Sequence, residues 1–240
     1  MDATVMKNLR GKIAMVTGAS AGIGAAIVTK LLENGAIVVG FARNLEKMEE
    51  TKRNLPVGFH PIKVDVTKED EIRRAFGWIK ENLGTLHILV NNAGCMAIGK
   101  LMDGDPEVWR GDPADAGKTG VEDGLIINMN STAGHHVPYY VNPRLNMYPA
   151  SKFALTAVNE TLRQELRYAG STIRVTSISP GYVDTGFALR ARDAEKVEDE
   201  IKVILGAQPS LTAEDVAESV MHVVSLPRHV QVDEIVLTAV

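Results

Sequence analysis

The chain has 240 residues, of which 45% are apolar and 23% charged, a length and balance that suit one globular α/β domain with a full core. Its net charge of −4, from 30 acidic against 26 basic residues, gives no electrostatic reason to expect nucleic acid or an anionic membrane as a partner. Cys95 is the only cysteine, which excludes an intrachain disulfide and argues against a cysteine-based zinc site.

The first residues, "MDATVMKNLRGKIAMVTG", lack the uninterrupted apolar core of a signal peptide. No apolar run approaches the ~18 residues of a membrane span, so a cytoplasmic protein is expected. "KIAMVTG" (12–18) reads as a strand, followed by a helix from Gly22 to Asn34 with Gly35 as its cap. "AIVVGFA" (36–42) is a second strand and "NLEKMEETKRN" a charged helix. "HPIKV" leads to Asp65 and a helix starting at Thr67, whose positive end Glu69, Asp70 and Glu71 favour. "LHILVN" (86–91) and "LIINMN" (125–130) are the fourth and fifth strands. A helix from Tyr148 to Ala169 precedes "IRVTSIS" (173–179), and one from Thr212 to about Ser225 precedes "EIVLTA". Strands nearly continuous in Val, Ile and Leu are those buried on both faces. Their alternation with helices over residues 1–240 predicts one doubly wound, Rossmann-type parallel sheet of about seven strands, with helices on both faces.

Between "NNAG" (91–94) and the fifth strand this rhythm breaks. A short helical turn is expected around Pro106 to Trp109, but "GDPADAGKTG" consists of turn residues without apolar period. A parallel crossover normally carries a helix at this point, so one crossover helix is expected to be missing or truncated.

"TGASAGIG" sets Gly18, Gly22 and Gly24 between the first strand and the first helix. Glycines there let the backbone turn tightly against a pyrophosphate, which then rests on the helix N-terminus. The second strand ends in "GFARN", with Arg43 where an NAD site usually carries a carboxylate. An arginine pairs with a 2′-phosphate, so NADP(H) is expected in preference to NAD(H). In "YPASK" (148–152), Tyr148 and Lys152 are four residues apart, on one helical face. Pro149 suits a first turn because its missing N–H has no partner there anyway.

"TGASAGIG", "DV" (65–66), "NNAG", "NS" (130–131), "YPASK" and "SPGYVDT" (179–185) stand in one order, and together they resemble the classical short-chain dehydrogenase/reductase family from about Gly11 to Val240. The likeness is greatest to its branch of farnesol dehydrogenases and dehydrogenase/reductase member eleven. That branch implies an NADP(H)-dependent oxidoreductase acting on an isoprenoid alcohol or a keto or hydroxy steroid, within a homo-oligomer. The resemblance implies Tyr148 as the catalytic acid/base, Lys152 as its partner and Ser131 as the donor to the substrate oxygen. It also implies that Gly18, Ser20, Gly22, Ile23, Gly24, Arg43, Asn44, Asp65, Val66, Asn92, Ala93, Gly94, Pro180, Gly181, Val183 and Thr185 hold the cofactor, together with Tyr148 and Lys152. A free tyrosine titrates near ~10, and an ammonium with a nicotinamide cation beside it favours the phenolate.

One family feature is absent. A further catalytic asparagine normally lies on the helix after the fourth strand, but "RGDPADAGKTGVEDG" has none. Asn128 and Asn130, on the fifth strand, are no substitutes, and Asn130 is expected to serve the strand end. Impaired turnover and a weakened oligomer contact are therefore expected alternatives. Cys95 is read as a small buried thiol, Trp109 as a packing residue, and His135 and His136 as polar loop residues. The stretch 187–206 is read as a substrate lid or a solvated helical excursion.

Overall fold

The computed structural model describes residues 9–96, 121–138, 145, 147–188 and 209–240. Seven parallel strands form one sheet: β1 (Ile13–Thr17), β2 (Ile37–Ala42), β3 (Phe59–Lys63), β4 (Leu86–Asn91), β5 (Val121–Met129), β6 (Arg174–Pro180) and β7 (Glu234–Leu237). Their order is β3-β2-β1-β4-β5-β6-β7. The described helices are α1 (Gly22–Glu33), α2 (Leu45–Lys52), α3 (Glu69–Asn82), α4 (Tyr148–Tyr168) and α5 (Ala213–Ser225). The chain lays down β1, β2 and β3 in one direction and returns to place β4 on the other side of β1. That reversal is the switch point at which doubly wound sheets gather ligands, beyond the strands' carboxyl ends.

Alternate residues of each strand serve opposite faces. Ala14 and Val16 pack with Ile27 and Leu31 of α1 and Val216 and Val220 of α5. Ile13 and Met15 join the other cluster, with Ala75 and Ile79 of α3 and Leu162 and Leu166 of α4. β1 is buried along its whole length, which explains why its sequence is a continuous apolar run rather than an alternating one.

The two element starts that differ most from the sequence expectation are those of β5 and α3. β5 starts at Val121, four residues before the apolar run, because Val121 pairs with Leu86; the register then shifts, and regular pairing resumes at Leu125 with Ile88. α3 starts at Glu69 rather than Thr67. Thr67 instead donates to Asp65 through its N–H and its hydroxyl, and Glu71 accepts from the Asp65 N–H. The expected turn at Pro106 to Trp109, the packing of Trp109 and the helix-free crossover at 110–120 lie outside the described residues, as do residues 189–206 of the expected lid.

Candidate active site

The glycine turn is locked to the segment after β4 by one side chain and one hydroxyl. Asn92 Nδ2 donates to the Thr17 carbonyl at 2.9 Å, and Thr17 Oγ1 accepts from the Asn92 and Ala93 N–H groups, both at 2.9 Å. Little space remains inside this joint. A Cβ on Gly24 would run into the Gly18 carbonyl and stand 2.6 Å from Asn92 Nδ2. Gly22 has a φ of +54°, and a Cβ there would meet the Thr185 side chain at 3.0 Å. Gly18, Gly22, Gly24, Asn92, Ala93 and Thr185 thus come together at the switch point. Gly94 follows directly and is open, with only the Asn92 carbonyl, at 3.9 Å, near where its Cβ would be.

The N-terminus of α1 follows the glycine turn at this crevice. Ala21 is the cap residue, no side chain caps the helix, and its first turn holds no acidic residue. Of the other described helices, α2 is capped by Asn44 and α5 by Thr212 within a capping box, while α3 and α4 also lack a side-chain cap. An uncapped helix start with free N–H groups attracts an anion. Ser20 is half-buried in the turn, and Ile23 packs partly against the core.

At the end of β2, Arg43 is exposed. Neighbouring Asn44 is engaged as the α2 cap, accepting from the Lys47 N–H at 2.9 Å. The Asp65 carboxyl is held below its ordinary range, first by the Thr67 N–H and hydroxyl and further by the charges of Arg43 and Lys68. Val66 is half-buried and packs on the α3 side of the core.

Ser131 follows the carboxyl end of β5, and Lys152 of α4 reaches Met129, the last residue of that strand. Pro149 lies in the first turn of α4, where no i−4 partner is needed. Lys152 Nζ stands 5.6 Å from the Tyr148 ring centre and donates to the Met129 carbonyl at 2.9 Å. The Tyr148 ring also contacts Phe187. Ser131 is 8% exposed, and its Oγ accepts from the Ala133 N–H at 3.1 Å, capping a short 3-10 turn, Thr132–Gly134. Asn130 serves the strand end: its N–H donates to Ile178 and its amide to Thr156 of α4. On the far side of the crevice the Gly181 N–H donates to the Leu237 carbonyl at 2.7 Å, and Val183 bridges Leu211. Pro180 is the last residue of β6.

Several residues of this region escaped the sequence reading. Asn91, Asn128, Ser177 and Glu234 are register partners in one row across β4 to β7. Asn91 donates to Asn128, and Asn128 to Asn159 of α4. His135, expected as loop polarity, pairs with Glu234 at 2.8 Å; it is exposed, as is His136. Cys95, expected to be buried, is exposed. Among the described residues no group of three His, Cys, Asp or Glu side chains could hold a metal, and no helix is long and apolar enough to cross a membrane.

A doubly wound parallel sheet with a glycine turn at its switch point and a Tyr–Lys helix beside it defines the class of protein. The family model for short chain dehydrogenase matches residues 12–111 and 119–196, so this chain belongs to the short-chain dehydrogenase/reductase family of oxidoreductases. The match breaks within "DPADAGK". Over 254 aligned residues the chain is 39% identical to "Farnesol dehydrogenase" of Aedes aegypti, covering 98% of each. It is 36% identical to human "Dehydrogenase/reductase SDR family member 11" over 251 residues, covering 96% of this chain and 95% of the relative. Among solved structures it resembles a closed serine dehydrogenase complexed with NADP+, with a TM-score of 0.83, 28% identity and 94% of each chain covered. A Burkholderia phymatum short-chain dehydrogenase/reductase in complex with NAD has a TM-score of 0.78 at 25% identity, covering 96% of this chain and 90% of that one.

Proposed function

We propose that this chain is an NADP(H)-dependent oxidoreductase that interconverts an alcohol and a carbonyl compound, with an isoprenoid alcohol such as farnesol or a keto or hydroxy steroid as substrate. The observation that carries the reading is the placement of Lys152 beside the Tyr148 ring, with buried Ser131 at the neighbouring strand end. The residues 1–240 act as one domain in this reading.

The crevice suits a dinucleotide: the α1 N-terminus is uncapped and free of acidic residues, and the glycine turn abuts Thr185. Gly18, Ser20, Gly22, Ile23 and Gly24 would take the pyrophosphate, Arg43 with Asn44 the 2′-phosphate end, and Asp65 and Val66 the adenine. Asn92, Ala93 and Gly94 would line the cleft, while Pro180, Gly181, Val183 and Thr185 would hold the nicotinamide. When bound, the nicotinamide gives or takes the hydride at the substrate carbon.

The chain's own residues handle the proton. The Ser131 hydroxyl donates to the substrate oxygen and fixes its position. The Tyr148 hydroxyl gives that oxygen its proton in reduction, and its phenolate takes the proton from the alcohol in oxidation. The Lys152 ammonium stabilises the phenolate that reduction leaves, and its bond to the Met129 carbonyl keeps it beside the ring. Steady-state oxidation of farnesol and of a hydroxysteroid with NADP+ and NAD+ tests the reading, with Tyr148→Phe as the control. Loss of ~10²-fold or more in that variant is expected; unchanged turnover would refute the assignment.

A second reading is a nucleotide-binding member of the family with reduced turnover. The break in the family match at residues 112–118 favours it, because the catalytic asparagine expected from the family would lie on the crossover helix there. A homo-oligomer is proposed under either reading, with its contact weakened if that helix is missing. In the second, wild-type turnover stays low while dinucleotide binding is intact.

A further inference from the structure

The turn that carries Ser131 is anchored from two sides, and only one anchor belongs to the Tyr–Lys helix. On that side Thr156 Oγ1 donates to the Gly134 carbonyl at 3.1 Å. Gly134 also packs so closely that a Cβ there would stand 2.8 Å from the Lys152 carbonyl. On the other side His135, the C-terminal cap of the turn, holds Glu234 of β7 at 2.8 Å. The same oxygen, Glu234 Oε1, accepts from Ser177 at 3.2 Å and from Ser179. Ser177 and Ser179 are 3% and 0% exposed. Three donors on one carboxylate oxygen fix that carboxylate in place, unlike an ordinary surface ion pair.

We propose that Glu234 and His135 form a clamp that positions Ser131 toward the substrate oxygen, so that both are positioning residues of the reaction. This inference rests on the reading of Ser131 given above. Ser131 Oγ accepts from the Ala133 N–H, which engages one lone pair and leaves the O–H free to donate. The direction of that O–H therefore depends on where the Ala133 N–H stands. His135 lies two residues farther along the same turn, and its tie to β7 sets the tilt of the turn against the sheet. Without it, the bond from Thr156 to the Gly134 carbonyl still holds the turn to α4 but no longer fixes it against β7. Sub-ångström displacement of a donor lowers rate without removing any catalytic group.

Farnesol oxidation with NADP+ is measured for the wild type, Ser131→Ala, His135→Ala, Glu234→Gln and the double variant Ser131→Ala/His135→Ala. His135→Ala is expected to lower kcat about 10-fold with NADP+ affinity unchanged, and Glu234→Gln, which keeps an acceptor oxygen, to retain most of the rate. In the Ser131→Ala background the His135 substitution should change nothing, because the clamp then has no hydroxyl to aim. An equal loss in both backgrounds would overturn the clamp and leave a general structural role. A wild-type rate in Ser131→Ala would sink the reading of Ser131, and the clamp with it. Amide hydrogen exchange supplies a readout independent of turnover: Ala133 to His136 should exchange faster in His135→Ala than in the wild type. Equal exchange there would also overturn the proposal.

Discussion

Replacing Thr17 with valine keeps the shape of the side chain and deletes the oxygen that two backbone N–H groups share. Asn92 N and Ala93 N each stand 2.9 Å from it. A net hydrogen bond of this kind is worth about 0.5–1.5 kcal/mol, and an orphaned buried donor costs about 1–3 kcal/mol. Both residues are only half-buried, so water recovers part of the loss. The added methyl offsets about 0.8 kcal/mol. The hydroxyl's own bond to the Val90 carbonyl is 3.4 Å long and adds little. A net destabilisation of about 1–3 kcal/mol is expected, a large share of a stability of ~5–15 kcal/mol. With a urea slope of roughly 1–3 kcal/mol per molar, the unfolding midpoint should fall by several tenths of a molar or more. NADPH affinity should fall as well, because the glycine turn and the Asn92 segment lose their shared bond. Thr17→Ser keeps the oxygen and should bind NADPH like the wild type. If Thr17→Val matches the wild type in midpoint and affinity, or if serine binds NADPH no better than valine, the hydroxyl does not hold this joint.

Other consequences are as open to measurement. Arg43→Ala should reduce the preference for NADPH over NADH by an amount equivalent to about 1.5–3 kcal/mol; fluorescence titration of both cofactors reads it, and an unchanged ratio refutes the 2′-phosphate role. Asp65 has a depressed folded-state pKa, because Thr67 bonds its charged form. Its stabilising effect is therefore present above the ordinary carboxylate range and disappears as pH falls through the folded value. Wild type and Asp65→Asn should differ in Tm near neutral pH and converge in acid, whereas a constant gap would refute the linkage. Replacing the turn-forming stretch 110–120 with a family-like helix should raise Tm and turnover together, since covering a few hundred Å² at about 25 cal/mol per Å² contributes several kcal/mol. If the natural chain already equals that variant in both, the crossover helix is dispensable here.

The sheet and its helices were legible because their signals are local. β1 and β4 are apolar runs of strand length, and Tyr148 with Lys152 needs only a helical spacing of four. The sequence signal for β5 begins only at Leu125, where the apolar run starts, whereas Val121 joins the sheet by backbone pairing with Leu86. α3 was read too long at its start because Thr67 looks like a first helical residue, whereas it serves the turn that Asp65 and Glu71 close. The joint around the cofactor crevice was hidden for a different reason. Thr17 finds its partner 75 residues away in Asn92, and His135 finds Glu234 across 99 residues. No periodicity announces contacts at that separation; they exist only once the parallel register sets the strand ends side by side. A threonine closing an otherwise apolar β1 was the one visible hint of the first.

Label transfer tests the central claim most directly. NADPH carrying deuterium at the transferring position of its nicotinamide is incubated with farnesal, and the product alcohol is analysed by mass spectrometry for deuterium at the former carbonyl carbon. The wild type should place the label at that carbon, and Tyr148→Phe, at saturating NADPH, should form labelled product ~10²-fold or more slowly. An unlabelled product from the wild type, or labelled product formed equally fast by Tyr148→Phe, would contradict hydride transfer assisted by this tyrosine.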